Sequence, residues 1–120
     1  MAGLDQHTPG AMILGIESAA MMQLQDNEFW ETVDTKLVEE QLYKFLDLEQ
    51  MTTLINSLAR VNRGSDELID LVEKVFIKHR KGLTQPQRDL ISDGFNKINK
   101  GSEVLHRVLA DPTMELPALE

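Results

Sequence analysis

One block of this chain occurs twice. Residues 46–72, slid forward by 37 positions, fall on residues 83–109. Leu46 meets Leu83, Gln50 meets Gln87, Asn62 meets Asn99, Gly64 meets Gly101, Ser65 meets Ser102 and Leu68 meets Leu105. Character agrees at further positions: Leu54 with Ile91, Leu58 with Phe95, Arg60 with Lys97, Arg63 with Lys100, and Asp66 with Glu103. The clearest words are Val-Asn-Arg-Gly-Ser-Asp at 61–66 and Ile-Asn-Lys-Gly-Ser-Glu at 98–103. A fixed period of this size marks a repeat architecture, in which each unit buries its apolar face against its neighbours.

Each copy reads as two helices around a turn. In the second copy Asp47 and Gln50 have capping-box spacing, and Leu48, Met51, Leu54, Ile55, Leu58 and Val61 form an apolar stripe at helical steps. Gly64 suits a left-handed helix end, and Ser65 caps the next helix, whose stripe is Leu68, Leu71, Val72, Val75 and Phe76. In the third copy Thr84 and Gln87 open a helix with the stripe Leu90, Ile91, Phe95 and Ile98. A short helix of about two turns follows and ends at Asp111-Pro112.

The first third reads as a diverged copy. Pro9 suits the first position of a helix that is apolar on nearly all sides. Asp26-Asn27 starts a second helix, running to about residue 45, with Phe29, Trp30, Val33, Leu37, Val38, Leu42 and Phe45 on its stripe. An offset of about 38 lays Trp30 on Leu68. The expected fold is all-α, a short α-solenoid of about three antiparallel helix pairs with a period of about 37 residues. Its parts are a leader (1–9), a diverged pair (10–46), a full pair (47–83), a truncated pair (84–111) and an extended or mobile tail (112–120).

Charge narrows the partners. The chain carries 12 basic and 20 acidic residues, a net −8. Residues 1–46 hold eight acids against Lys36 and Lys44, which is −6. Such a chain does not gather nucleic acid by long-range attraction, because phosphate affinity comes largely from Lys and Arg. A basic partner surface is the natural complement. With no cysteine there is neither a disulfide framework nor a thiolate metal site. No apolar run approaches the roughly 18 residues of a membrane span, and residues 11–16 follow an acidic leader unlike a secretory signal.

Two short helices per unit, a unit near 37 residues, and Leu54-Ile55-Asn56-Ser57-Leu58-Ala59-Arg60-Val61 followed by Leu68-Ile69-Asp70-Leu71-Val72 resemble the organellar helical-hairpin repeat proteins. The nearest types are the octotricopeptide, heptatricopeptide and FAST-kinase-like repeats. The resemblance covers about the last two-thirds of the chain and implies a helical-repeat fold, a mitochondrial or plastid location and work in organellar RNA metabolism.

Four constellations are candidates for function. Thr52, Asn56, Arg60 and Arg63 lie at helical steps, with Asp89, Asp93, Lys97 and Lys100 as equivalents. Helical-repeat RNA binders read bases with such stripes. A solvated face is the plainer reading, since Asp89 and Asp93 repel phosphate. A basic cluster, Lys74, Lys78, His79, Arg80 and Lys81, suits phosphate or an acidic partner, though cations at a helix end also complement its dipole. His7, His79 and His106 show no zinc-ligand spacing. With no nucleophile motif or phosphate loop, neither an enzyme nor a cofactor is expected. Finally, Met12, Met21 and Met22, with Trp30 nearby, exceed what one helix face can bury and suit an adaptable contact surface, with the core of the first helix pair as the equal alternative.

These readings converge on a non-enzymatic helical-repeat scaffold, a structural or assembly subunit of a larger complex; the resemblance implies a mitochondrial one, such as a ribosome, ATP synthase or respiratory complex. Its partners would be other protein subunits. The alternative is an RNA-binding repeat module, contacting RNA or an acidic partner through Arg60, Arg63, Lys78, Arg80, Lys81, Lys97 and Lys100.

Overall fold

The computed structural model describes residues 9–111, and these contain helices and turns with no strand. Six α-helices follow in order: α1 (Pro9–Met21), α2 (Asn27–Asp34), α3 (Leu48–Val61), α4 (Asp66–Lys78), α5 (Gln85–Lys97) and α6 (Glu103–Ala110). The leader before Pro9, with His7, and the tail after Asp111 lie outside the described residues.

The capping residues explain where these helices start. Asp47 accepts the Gln50 N–H at 2.7 Å, and the Gln50 side chain accepts the Asp47 N–H at 2.9 Å. Thr84 and Gln87 make the same reciprocal pair, at 3.2 and 2.9 Å. Ser65 and Ser102 each accept the N–H three residues on, from Leu68 and Leu105, both at 3.1 Å. Each cap is worth about 1 kcal/mol relative to alanine.

The helices end on one repeated turn. Asn62 and Asn99 both take left-handed backbone at φ 55. Around them Arg63 N–H donates to Leu58 O and Lys100 N–H to Phe95 O, both at 2.9 Å, the six-to-one bond of a Schellman ending. Gly64 and Gly101 then take φ of 108 and 95, so the left-handed helix end is the asparagine and the glycine supplies a second positive φ. The same ending closes α1: Gln23 has φ 57, and Leu24 N–H donates to Ala19 O at 3.0 Å.

That third occurrence corrects the alignment of the first copy. The caps Asp26 and Ser65 are 39 positions apart, and Ser65 and Ser102 are 37. An offset of 39 lays Phe29 on Leu68, Trp30 on Ile69, Val33 on Val72 and Leu37 on Phe76, and all eight are buried. The offset of 38 mismatches these pairs.

The second helix is also not continuous to residue 45. After Asp34 the chain forms a π-helical turn (Thr35–Glu39), closed by Glu40 N–H to Thr35 O at 3.1 Å. Gln41 then reverses into left-handed backbone, and a 3₁₀ turn (Leu42–Phe45) follows. Phe45 is exposed instead of lying on an apolar stripe. Together α2 and the π turn span 13 residues, the length of α4, so the two extra residues of this unit lie in the linker before Asp47.

The helices pack chiefly across units. α3 is central, with α1 and α5 against its two sides; α4 touches the π turn on one side and α6 on the other. Eight of the 14 residues of α3 are buried, including Thr52 and Ser57. Gly94 brings α5 close to Ile55 of α3, and Phe76 and Phe95 meet edge-to-face at 6.4 Å between α4 and α5. Leu90, expected on the core stripe of α5, is half exposed. Leu71 and Val75 are only half-buried on α4, where Ile69 and Ile77 fill the core instead.

Candidate functional site

Arg63 and Lys100 face backwards, onto the preceding unit. The Arg63 guanidinium donates to Gln25 Oε1 at 3.0 and 3.1 Å, to the Gln25 carbonyl at 3.1 Å and to Asn27 Oδ1 at 2.5 Å. Lys100 Nζ lies 2.6 Å from Asp66 Oδ1. The neighbouring serine repeats the link: Ser65 N–H donates to Asp34 Oδ1 at 3.4 Å. Ser102 donates its N–H and hydroxyl to Glu73 at 3.1 and 2.6 Å. The Arg/Lys-Gly-Ser word is thus a clip between successive turns. Both cations of the expected contact set are engaged in this clip, Arg63 half-buried and Lys100 exposed.

The clip also sets two acidities. Lys100, hydrogen-bonded and charged beside it, holds the Asp66 carboxyl below its ordinary value. Burial pushes the Asp34 carboxyl up, against the lowering effect of the Ser65 hydrogen bonds.

The outer face of α3 carries a shallow cavity of about 280 Å³ between α1 and α5. Arg60 and Lys97 lie on its rim with Glu17, Met21 and Leu90, and Thr53 and Asn56 line it. The structure therefore brings together two of the cations expected at this surface. Among the described residues neither makes an ion pair. The rest of the stripe is occupied within its own helix: Thr52 donates to Leu48 O at 2.7 Å and Asn56 to Thr52 O at 3.0 Å. Back-bonding of this kind satisfies the side chains locally.

The four residues expected at a contact surface divide evenly. Met12 and Trp30 are 1% and 4% exposed and belong to the core, where Trp30 Nε1 also donates to Leu24 O at 2.8 Å. This corrects their place at a partner surface. Met21 and Met22 are 65% and 74% exposed, and Leu14 is 65% exposed. Leu14 and Met21 are seven residues apart and so share one stripe of α1.

A larger groove, about 640 Å³, lies on α4 and was not legible as a groove. Its floor is Tyr43, Leu46, Leu48, Leu71 and Val75; Lys44, Lys74, Lys78 and His79 surround it, with Asp47. Lys78 is the one member of the expected contact set here. Arg80 turns away, donating to Ile77 O at 2.8 Å, where it satisfies an orphan carbonyl of α4. Lys81 is exposed outside the groove. The groove forms because the first unit breaks after its π turn, which no local sequence signal announces.

Among the described residues no cluster of three or more His, Cys, Asp or Glu is placed to hold a metal. No described helix is long and apolar enough to cross a membrane. Compared with protein-family models and with curated proteins, the chain matches neither a known family nor a curated relative.

Proposed function

We propose that the chain is a non-enzymatic helical-repeat scaffold, a short α-solenoid serving as a structural or assembly subunit of a larger protein complex. One observation carries this reading: Leu14, Met21 and Met22 stand exposed on and just after α1, an outer helix of its layer. Large apolar side chains grouped on one surface mark contact sites, and methionine adapts to the shape it meets. The recurrence of the clip at successive turns and of the α1–α3–α5 packing supports the solenoid. The resemblance to organellar repeat proteins supports a mitochondrial complex.

Met21→Gln with Met22→Gln tests it. Co-purification at endogenous level enriches partner subunits with the wild-type chain and loses them with the double variant, whose helical circular dichroism is unchanged. A chain that enriches no protein partner contradicts the scaffold.

One observation favours the RNA reading. Arg60 and Lys97 converge on a single cavity across α3. If RNA binds there, affinity falls steeply with salt and falls again on Arg60→Ala with Lys97→Ala. No binding at low salt excludes it.

A further inference from the structure

The groove on α4 is apolar in its floor and basic on its rim, in a chain of net charge −8. Twelve bases among 20 acids leave ample carboxylates for pairing. Yet Lys44, Lys74 and Lys78 make no ion pair among the described residues, and all three are exposed. Asp47, the one acid lining the groove, is engaged in the capping box of α3. Asp70 and Glu67 lie on α4 toward its N-terminus and outside the lining. The five apolar floor residues are each half-buried, so they are neither core nor fully solvated.

From this juxtaposition we infer that the groove docks an acidic amphipathic helix of a partner protein. The inference deepens the scaffold reading by giving the chemistry of one partner. It uses a surface that shares no residue with the exposed face of α1.

The stripe on α4 suits a helix. Leu71, Val75 and Lys78 follow one another at steps of four and three and so lie on one face of α4, against which a second helix can pack. From Leu71 to Lys78 the axis advances about 10 Å, at roughly 1.5 Å per residue, which matches two turns of a partner. Such a partner presents apolar anchors at i, i+3 or i+4, and i+7. Asp or Glu beside those anchors would meet Lys44, Lys74, Lys78 and His79, and Lys beside them would be repelled. The groove lies open because the first unit departs from helix at Gln41, so that the linker carrying Tyr43, Lys44 and Leu46 forms its opposite wall.

Fluorescence anisotropy with the full chain tests this directly. Two labelled helical peptides share one leucine stripe at i, i+4, i+7 and i+11; one is flanked by Glu, the other by Lys. The Glu peptide binds and the Lys peptide does not. Lys74→Glu with Lys78→Glu weakens the Glu peptide by at least about tenfold and lets the Lys peptide bind. Lys74→Gln with Lys78→Gln gives a smaller loss, and keeps the test open if the charge-reversed chain fails to fold by circular dichroism. Met21→Gln with Met22→Gln leaves peptide binding unchanged, which separates failure here from failure at α1. The inference is overturned if the Glu peptide does not bind, if both peptides bind alike, or if both lysine variants bind the Glu peptide as the wild type does. Binding of a 12-nucleotide single-stranded RNA, or of phosphatidylserine vesicles, through these lysines in place of the peptide also overturns it.

Discussion

The two ends of the first helical pair behave differently from each other. At the α1–α2 turn the unit keeps the backbone of its neighbours: Gln23, Asn62 and Asn99 share one left-handed ending. At its other end α2 widens into a π turn, followed by a reversal at Gln41 and two extra residues, where α4 runs unbroken to Lys78. The turn receives the clip from the next unit, as Gln25 and Asn27 accept from Arg63, and Asp66 pairs with Lys100. Changing its geometry removes bonds in two units at once. Among the described residues the linker at the far end carries no such link, and the stretch holding its two extra residues borders the basic groove.

The largest test of this correspondence lies in the core. Leu37 in the π turn and Phe76 in α4 occupy equivalent places and are both fully buried. Phe76→Ala costs about 3–5 kcal/mol and Leu37→Ala about 2–5 kcal/mol, read from urea unfolding. A loss below about 1 kcal/mol at Leu37 would break the equivalence and detach the π turn from the fold.

Next come the glycines of the two repeated turns. A Cβ on Gly64 would lie 3.1 Å from Ile69 Cδ1 and 3.3 Å from Leu58 Cδ1. On Gly101 it would lie 3.0 Å from His106 Nε2 and 3.2 Å from Leu105 Cδ2. Both residues have positive φ, so alanine is strained at either. Each substitution lowers stability by about 1–3 kcal/mol in thermal or urea unfolding. Gly101→Ala sits toward the lower end, since the imidazole can rotate away. Equal stability of Gly64→Ala and wild type would show that the turn tolerates another backbone.

Much of this was legible in the residues. Capping boxes, serine caps and the Asn-x-Gly-Ser turn depend on neighbours a few positions away, so Asp47, Ser65, Thr84 and Ser102 announce themselves. The π turn was not legible, because Thr35–Glu39 reads with ordinary helical spacing, and Leu37 within it is buried as a helical stripe residue would be. The direction of Arg63 was hidden for a related reason. A cation beside a turn reads alike whether it faces solvent or the preceding unit. A signal was present all the same: Arg63 repeats as Lys100 inside the structural word, whereas Thr52 and Asn56 of the polar stripe change to Asp89 and Asp93. Trp30 meets a buried residue at either offset, Leu68 at 38 and Ile69 at 39, so the repeat itself places it in the core.

The clip itself comes next in size. Arg63→Ala removes four hydrogen bonds to exposed groups and lowers stability by about 1–2 kcal/mol. Arg63→Lys recovers only part, because an ammonium cannot reproduce the planar fork. Lys100→Ala costs less, since its single ion pair is open to water. Urea unfolding of the three variants orders them, and a greater loss at Lys100 would contradict the clip geometry.

The smallest effect is a pH dependence at the first serine acceptor. Asp34 and Glu73 receive the same serine N–H in successive units, and burial raises the Asp34 carboxyl. Raised in the fold, Asp34 binds its proton more tightly there than in the unfolded chain. Stability therefore falls as pH rises through the folded value, and ionised Asp34 is a net cost at neutral pH. Asp34→Asn keeps an oxygen to accept the Ser65 N–H and removes that charge. It stabilises the chain at pH 7 by roughly a few tenths of a kcal/mol once solvent screening is allowed for. The gain shrinks on acidification and disappears below the ordinary carboxyl value, where Asp34 is protonated in both states. Paired urea titrations of the variant and wild type at pH 7 and pH 3 measure it. A variant less stable than wild type at pH 7 would mean that the charge on the Ser65 bond outweighs the burial, and that the first unit holds its clip as firmly as the others.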